Sequence, residues 1–194
     1  MTATQAPHPP ADTPPTAVHM ATLAGGCFWC LEAVFLRTRG VLHVEPGYSN
    51  GHHPQPSYPL VCQGDTGHAE VVRIHFDPAV VSFEDLLAVF FRIHDPTTLN
   101  RQGHDVGTQY RSGIYTHDDE QARQAQAIIQ ALGEAGAWSA PIVTEVAPVR
   151  NYHVAEAEHH RYFEHHPYQG YCAMVVAPKV EAFMKAFPQL VRAH

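Results

Sequence analysis

The sequence predicts an α+β fold, a two-layer α/β sandwich whose ferredoxin-like mixed sheet carries appended helices. Three observations lead there. Short apolar runs and amphipathic stretches alternate in the order β-α-β-β-α-β. Two of the helical stretches carry a strong apolar stripe at three-and-four spacing. No internal repeat interrupts this order, and 194 residues suffice for one domain with a sizeable core.

Met1 to Val18 is rich in Pro, Ala and Thr without hydrophobic period, and is expected to be a disordered tail preceding a single domain over 19–194. Met20–Ala24 reads as a strand and Cys27 to about Arg37 as a helix, with Gly40 as its C-cap and Val41–Val44 as the next strand. Gly47 to Tyr58, dense in Gly and Pro, reads as a long functional loop. His68–Phe76 is a strand that Asp77-Pro78 ends. Ser82 and Asp85 form a capping pattern ahead of Phe83, Leu86, Leu87 and Phe90, the stripe of a helix. A polar loop over Asn100–Gly107, a strand over Gln109–Tyr115 and a helix from Asp118 to Leu132 stopped by Gly133 follow. The remainder reads as a strand over Pro141–Val146, a polar helix from Asn151 to about Glu164, loop and extended chain over Tyr168–Val176, and a helix opened by Pro178.

A formal charge of −7 with no Lys/Arg cluster argues against nucleic-acid binding. No apolar run approaches the ~18 residues of a membrane span. Four cysteines are too few for a disulfide scaffold, and the N-terminus lacks the basic start and apolar core of a secretory signal. A cytoplasmic monomer is expected.

The chemistry centres on Ala24-Gly25-Gly26-Cys27-Phe28-Trp29-Cys30. A strand, a Gly-Gly turn and a helix place Cys27 at a helix N-terminus, where unpaired N–H groups favour the thiolate. Phe28 and Trp29 are adjacent, so at least one must line the surface beside Cys27. Glu70 opens an apolar strand; buried there, it would stay protonated and could donate a proton. Asp105 and Tyr110 sit in a Gly-rich loop and could share a pocket. Cys172, between Tyr171 and Ala173, reads as a resolving thiol in a mobile segment, whereas Cys62 reads as structural. His159 and His166 could share a helical face, but no further ligands converge, and no metal is expected.

Gly26-Cys27-Phe28-Trp29, Gly47-Tyr48-Ser49-Asn50-Gly51, Gly64-Asp65-Thr66-Gly67-His68-Ala69-Glu70, Asn100 to Ser112 and Tyr168-Gln169-Gly170-Tyr171-Cys172 occur here in this order. Together they closely resemble the peptide methionine sulfoxide reductases of the A family, which act on the S epimer. The resemblance runs from about Ala21 to Phe187. It implies that Cys27 attacks the sulfoxide sulfur, that Glu70 protonates its oxygen, and that Tyr58 and Tyr110 hydrogen-bond that oxygen beside Asp105. It further implies that Phe28 and Trp29 hold the substrate methyl group and that Cys172 resolves the sulfenic acid. Thioredoxin would reduce the resulting disulfide, and no cofactor is required. Cys30 stands where many members have glycine, so Cys30 and Cys172 are both candidate resolving thiols, with Cys172 favoured. Two other readings are a dithiol oxidoreductase using Cys27 and Cys30 alone, and a metal-binding module using the histidines.

Overall fold

The computed structural model describes residues 14–15 and 17–193. Its centre is built from β1 (His19–Gly25), α1 (Phe28–Leu36), β2 (Val41–Ser49), a short α2 (Tyr58–Cys62), β3 (Ala69–Phe76) and α3 (Phe83–Ile93). A two-residue hairpin, β4 (Arg101–Gln102) and β5 (Asp105–Val106), leads through a 3₁₀ turn to β6 (Ser112–Thr116). α4 (Asp119–Glu134), β7 (Glu145–Pro148), β8 (His153–Val154), α5 (Tyr162–His165) and α6 (Ala177–Ala186) complete the described chain.

The main sheet has the order β7-β6-β1-β3-β2-β8. Its inner four strands, β6-β1-β3-β2, are antiparallel and form the split β-α-β unit expected from the element order. β7 joins parallel to β6, which makes the sheet mixed. Strand alternation sorts side chains between the faces. Ala21, Leu23, Val44, Tyr48, Val72, Ile74 and Phe76 meet α1, α3 and α6 in the main core, while Ala24, Ala69, Val71 and Tyr115 form a smaller cluster behind the sheet. Glu70 has the parity of Val72 and Ile74, and its cross-strand partner is Tyr48. Register alone therefore directs a carboxyl and a phenol to the helix side of the sheet.

Ser82 Oγ accepts from the Asp85 amide at 3.0 Å, and the Asp85 carboxyl accepts from the Ser82 amide at 3.1 Å, the capping box read from the sequence.

Several elements differ from the sequence reading. β2 runs on through Pro46 and Gly47 to Ser49, so the first residues of the expected loop are strand. Gly47 is there for close approach: a Cβ would lie 2.6 Å from the His153 carbonyl of β8. α1 ends at Leu36, and Gly40, at φ +87°, makes the turn into β2 rather than the helix cap. The expected strand over Gln109–Tyr115 begins as the 3₁₀ turn Thr108–Tyr110 and becomes strand only at Ser112. α4 passes through Gly133, and the left-handed residue beyond it is Gly136. β7 starts at Glu145, later than the expected Pro141. No continuous helix follows Asn151: Asn151 and Arg161 have positive φ, which leaves β8, a 3₁₀ turn over Ala157–His159 and the short α5. Conversely, Gly170–Val176 is helical, with a π-helical turn over Cys172–Val176 that runs directly into α6. The expected tail lies almost wholly outside the described residues.

Replacing Ser82 with Ala removes one side of the capping box and is expected to cost about 0.5–2 kcal/mol in urea unfolding, with unchanged activity.

Candidate active site

β1 delivers the chain to Gly25, whose added Cβ would touch Phe90 at 3.0 Å. Gly26 then turns at φ +93° beneath Gln102, where a Cβ would come within 2.7 Å of the Gln102 side chain. Only glycine fits this turn, and it sets Cys27 as the extended N-cap of α1. The first helical amide, that of Phe28, donates to Glu70 Oε1 at 3.1 Å. Glu70 thus satisfies one of the orphan N–H groups of the helix start.

Glu70 is 1 % exposed, and burial pushes its pKa up to about 8 against the pull of the Phe28 amide. Negative charge on Asp105 and Cys30 pushes the same way. Cys27 is 9 % exposed. Burial holds its thiol well above the usual range, reinforced by its hydrogen bond to Cys30 and by the charge of Glu70. The thiolate expected from the helix N-terminus is therefore absent from the resting site, because desolvation outweighs the dipole. Cys30 is the lowered thiol of the pair, chiefly because Cys27 donates to it.

The phenols ring Glu70. Tyr58 and Tyr110 are held protonated first by burial, and for Tyr110 next by the charges of Glu70 and Asp105. Asp105 accepts from Tyr171 Oη at 2.7 Å, and that same hydroxyl lies 4.0 Å from Cys30 Sγ. Glu156 accepts from both Tyr48 Oη at 3.2 Å and the Tyr58 amide, also at 3.2 Å. The site is thus tied to the C-terminal segment.

Phe28 turns fully inward and Trp29 lines the rim, as their adjacency required. The indole stacks on Tyr162 at 3.8 Å and 6° and meets the edge of Tyr171 at 5.9 Å. Its Nε1–H donates to His159 Nδ1 at 3.2 Å.

The structure thus gathers Cys27, Cys30, Phe28, Trp29, Tyr58, Glu70, Asp105 and Tyr110 into one region. Cys172 differs from its expected setting: it is 0 % exposed within a helical turn rather than in a mobile loop. Burial pushes its thiol up, and negative charge on Cys30 and then Glu164 pushes the same way. Cys62, read as structural, is exposed on α2, where the Tyr58 phenol bonds to it. Tyr48, Glu156, Tyr162 and Tyr171 were missed, and His159 was weighed only as a metal ligand. Tyr48 lay in a strand misread as loop, and Glu156, His159 and Tyr162 in an expected solvated helix. Tyr171 had only its place beside Cys172 as a signal.

Replacing Cys27 with Ala removes the hydrogen bond that chiefly lowers the Cys30 thiol. The pH midpoint for alkylation of Cys30 is then expected to rise, read by mass spectrometry of the labelled peptide.

A buried acid, a neutral thiol, two phenols and an aromatic rim suit an oxygen-bearing, weakly electrophilic centre next to an apolar group. Comparison with known proteins agrees. The family model described as peptide methionine sulfoxide reductase matches residues 19–190. A peptide methionine sulfoxide reductase MsrA from Polynucleobacter asymbioticus is 56 % identical over 171 residues, covering 88 % of this chain and 90 % of the relative. Among solved structures, reduced Mxr1 from Saccharomyces cerevisiae superposes with a TM-score of 0.76 at 36 % identity, covering 82 % of this chain and 91 % of that one. The same yeast protein in complex with Trx2 gives a TM-score of 0.55 at 27 % identity, covering 77 % and 87 %. The chain belongs to the peptide methionine sulfoxide reductase family.

Proposed function

We propose that this protein reduces methionine-S-sulfoxide, in proteins and as the free amino acid, to methionine, and so repairs oxidative damage. The observation that carries this reading is Glu70, an acid with a pKa of about 8 held beneath the first amide of the helix that Cys27 caps.

The substrate methyl rests against Phe28 and Trp29, and its oxygen faces Glu70, Tyr58 and Tyr110. Glu70 gives that oxygen a proton while the Cys27 sulfur supplies an electron pair to the sulfoxide sulfur. The positive charge that develops on the sulfoxide sulfur favours loss of the Cys27 proton at that moment, and that proton restores the Glu70 acid, so no resting thiolate is needed. Oxygen passes from substrate to Cys27, leaving methionine and a sulfenic acid. General acid assistance of this kind contributes ~10²–10⁴-fold. Asp105 holds Tyr171, which in turn faces Cys30.

Cys30 then attacks the sulfenic sulfur, expelling water and forming a Cys27–Cys30 disulfide. Its contact with Cys27 favours it over Cys172 for this first step, and Cys172 can take the disulfide on by exchange with Cys30. Thioredoxin is the proposed reductant, on the analogy of the yeast relative solved with Trx2. Dithiol exchange alone would leave Glu70, Tyr58 and Tyr110 without a task. The reading treats 19–194 as one catalytic domain behind a tail, acting as a cytoplasmic monomer without a cofactor. Among the described residues, no helix is long and apolar enough to cross a membrane.

Single turnover of the reduced protein with racemic methionine sulfoxide peptide tests this. Only the S epimer should disappear, Cys27→Ser should abolish the reaction, and Glu70→Gln should slow it by ~10²–10⁴-fold. Cys30→Ser should accumulate sulfenic acid, trapped by dimedone, while Cys172→Ser should stop at the Cys27–Cys30 disulfide. Failure of the wild type to form methionine would refute the reading.

A further inference from the structure

α2 is five residues long, and a helix that short has no stability of its own. Its start is also poorly served locally. Ser57 occupies the N-cap position without a side-chain hydrogen bond, and Pro59 in the first turn has no N–H to offer. Where α2 sits, and with it the Tyr58 side chain, is therefore set by contacts from elsewhere. Val61 is fully buried in the core and anchors the far end of the helix. The amide of Tyr58 is served from 98 residues away: Glu156 accepts it at 3.2 Å through Oε2 and at 3.3 Å through Oε1.

The same carboxylate accepts from Tyr48 Oη, at 3.2 Å through Oε1 and at 3.3 Å through Oε2. Tyr48 is fully buried and is the cross-strand partner of Glu70. Burial first, and then the charge of Glu156, hold its phenol protonated, so it stays a donor. Glu156 is itself placed by β2: β8 pairs with Gly47 and Tyr48, and the Ala155 amide donates to the Pro46 carbonyl at 2.9 Å. One carboxylate thus joins the strand position beside Glu70 to the first turn of the helix that carries Tyr58.

We propose that Glu156 is a positioning residue: by accepting from the Tyr48 hydroxyl and the Tyr58 amide at once, it holds the Tyr58 phenol at a fixed offset from Glu70, so that both meet the same substrate oxygen. The inference rests on the reading of Tyr58 and Glu70 as donors to the sulfoxide oxygen. Tyr110, the other phenol of that reading, reaches the site on a separate element with its own bonds. Its amide donates to the Gly107 carbonyl at 3.1 Å, and Arg111 Nη1 donates to the Thr108 carbonyl at 2.9 Å. Loss of Glu156 should therefore misplace Tyr58 and spare Tyr110. The Tyr58 amide can only donate, so what it needs from residue 156 is an acceptor oxygen. Each carboxylate oxygen lies within 3.3 Å of both donors, so a carboxamide oxygen at either place would still serve them.

Amide hydrogen exchange and double-mutant kinetics test this. The Tyr58 amide should exchange slowly in the wild type, and Glu156→Ala should bring it to the rate of an unbonded amide while the amides of β3 keep their protection. The kinetic arm follows single turnover with a methionine sulfoxide peptide at saturating concentration. Where Tyr110→Phe leaves Tyr58 as the remaining phenol, Glu156→Ala should slow methionine formation by about 10- to 10²-fold, the worth of a hydrogen bond to a charged group. Where Tyr58→Phe has already removed the group that Glu156 positions, the same change should cost no more than about twofold. Glu156→Gln, which keeps one acceptor oxygen, should lose less in both measurements, and the two backgrounds can be compared on it equally well if the alanine variant does not fold. Equal losses in the two backgrounds are what a general loosening of the fold would produce, and they would overturn the proposal. So would a Tyr110→Phe rate that Glu156→Ala leaves unchanged, or a Tyr58 amide that exchanges freely in the wild type. The exchange arm does not depend on turnover, so a failure of the sulfoxide reductase reading would be seen separately, as a wild-type protein that forms no methionine.

Discussion

One hydrogen bond organises the site: the Phe28 amide, first of α1, donates to a carboxyl that the sheet holds in the core. Ionised Glu70 at this depth would carry a large desolvation cost, and a single amide recovers only part of it. Protonation is the cheaper solution, which is why burial raises this acid to about 8. The same burial acts on Cys27, and each group's charge disfavours the other's ionisation. The resting site is therefore a neutral acid beside a neutral thiol. Substrate polarisation, rather than a standing thiolate, has to start the chemistry.

The architecture supplies these neighbours from separate parts of the chain. β3 provides Glu70 through strand parity, and the Gly25-Gly26 turn swings α1 over it. β2 brings Tyr48 alongside. The C-terminal segment then closes the site from outside, with Glu156 joining Tyr48 to α2, and Tyr162 and His159 framing Trp29. Helical packing buries Cys172 and Cys30 and leaves Cys27 the most exposed of the three cysteines. Any disulfide carried inward to Cys172 must be brought back towards the surface before an external dithiol can reach it.

The core order was legible because it rests on local pattern. Strand alternation, the Ser82 cap and the stripe of α3 all act over a few residues, and each survives in the folded chain. That at least one of Phe28 and Trp29 faces outward followed from helical geometry in the same way, while which of the two it is did not. What local pattern could not reveal was set by distant contacts. Gly47 looks like a turn residue until β8 is seen crossing within a Cβ radius of it. Asn151 and Arg161 break a segment whose composition suits a helix, and the glycine ahead of Cys172 lies within one. The Cys27 thiol was misjudged for a related reason: a helix N-terminus is visible in sequence, but the depth at which it is buried is not. The contact of His159 with the Trp29 indole stayed hidden because the two lie 130 residues apart in the chain.

The protonation state of Glu70 is the central claim, and isotope-edited infrared spectroscopy of the reduced protein with labelled glutamate measures it directly. Glu32, also buried and raised to about 7, must be replaced by Gln to clear the same spectral region. A protonated carboxylic acid band that persists through neutral pH and disappears with a midpoint near 8, and that is lost in Glu70→Gln, is the result expected. Full ionisation of Glu70 already at neutral pH would contradict the account, since no buried acid would then remain to meet the sulfoxide oxygen.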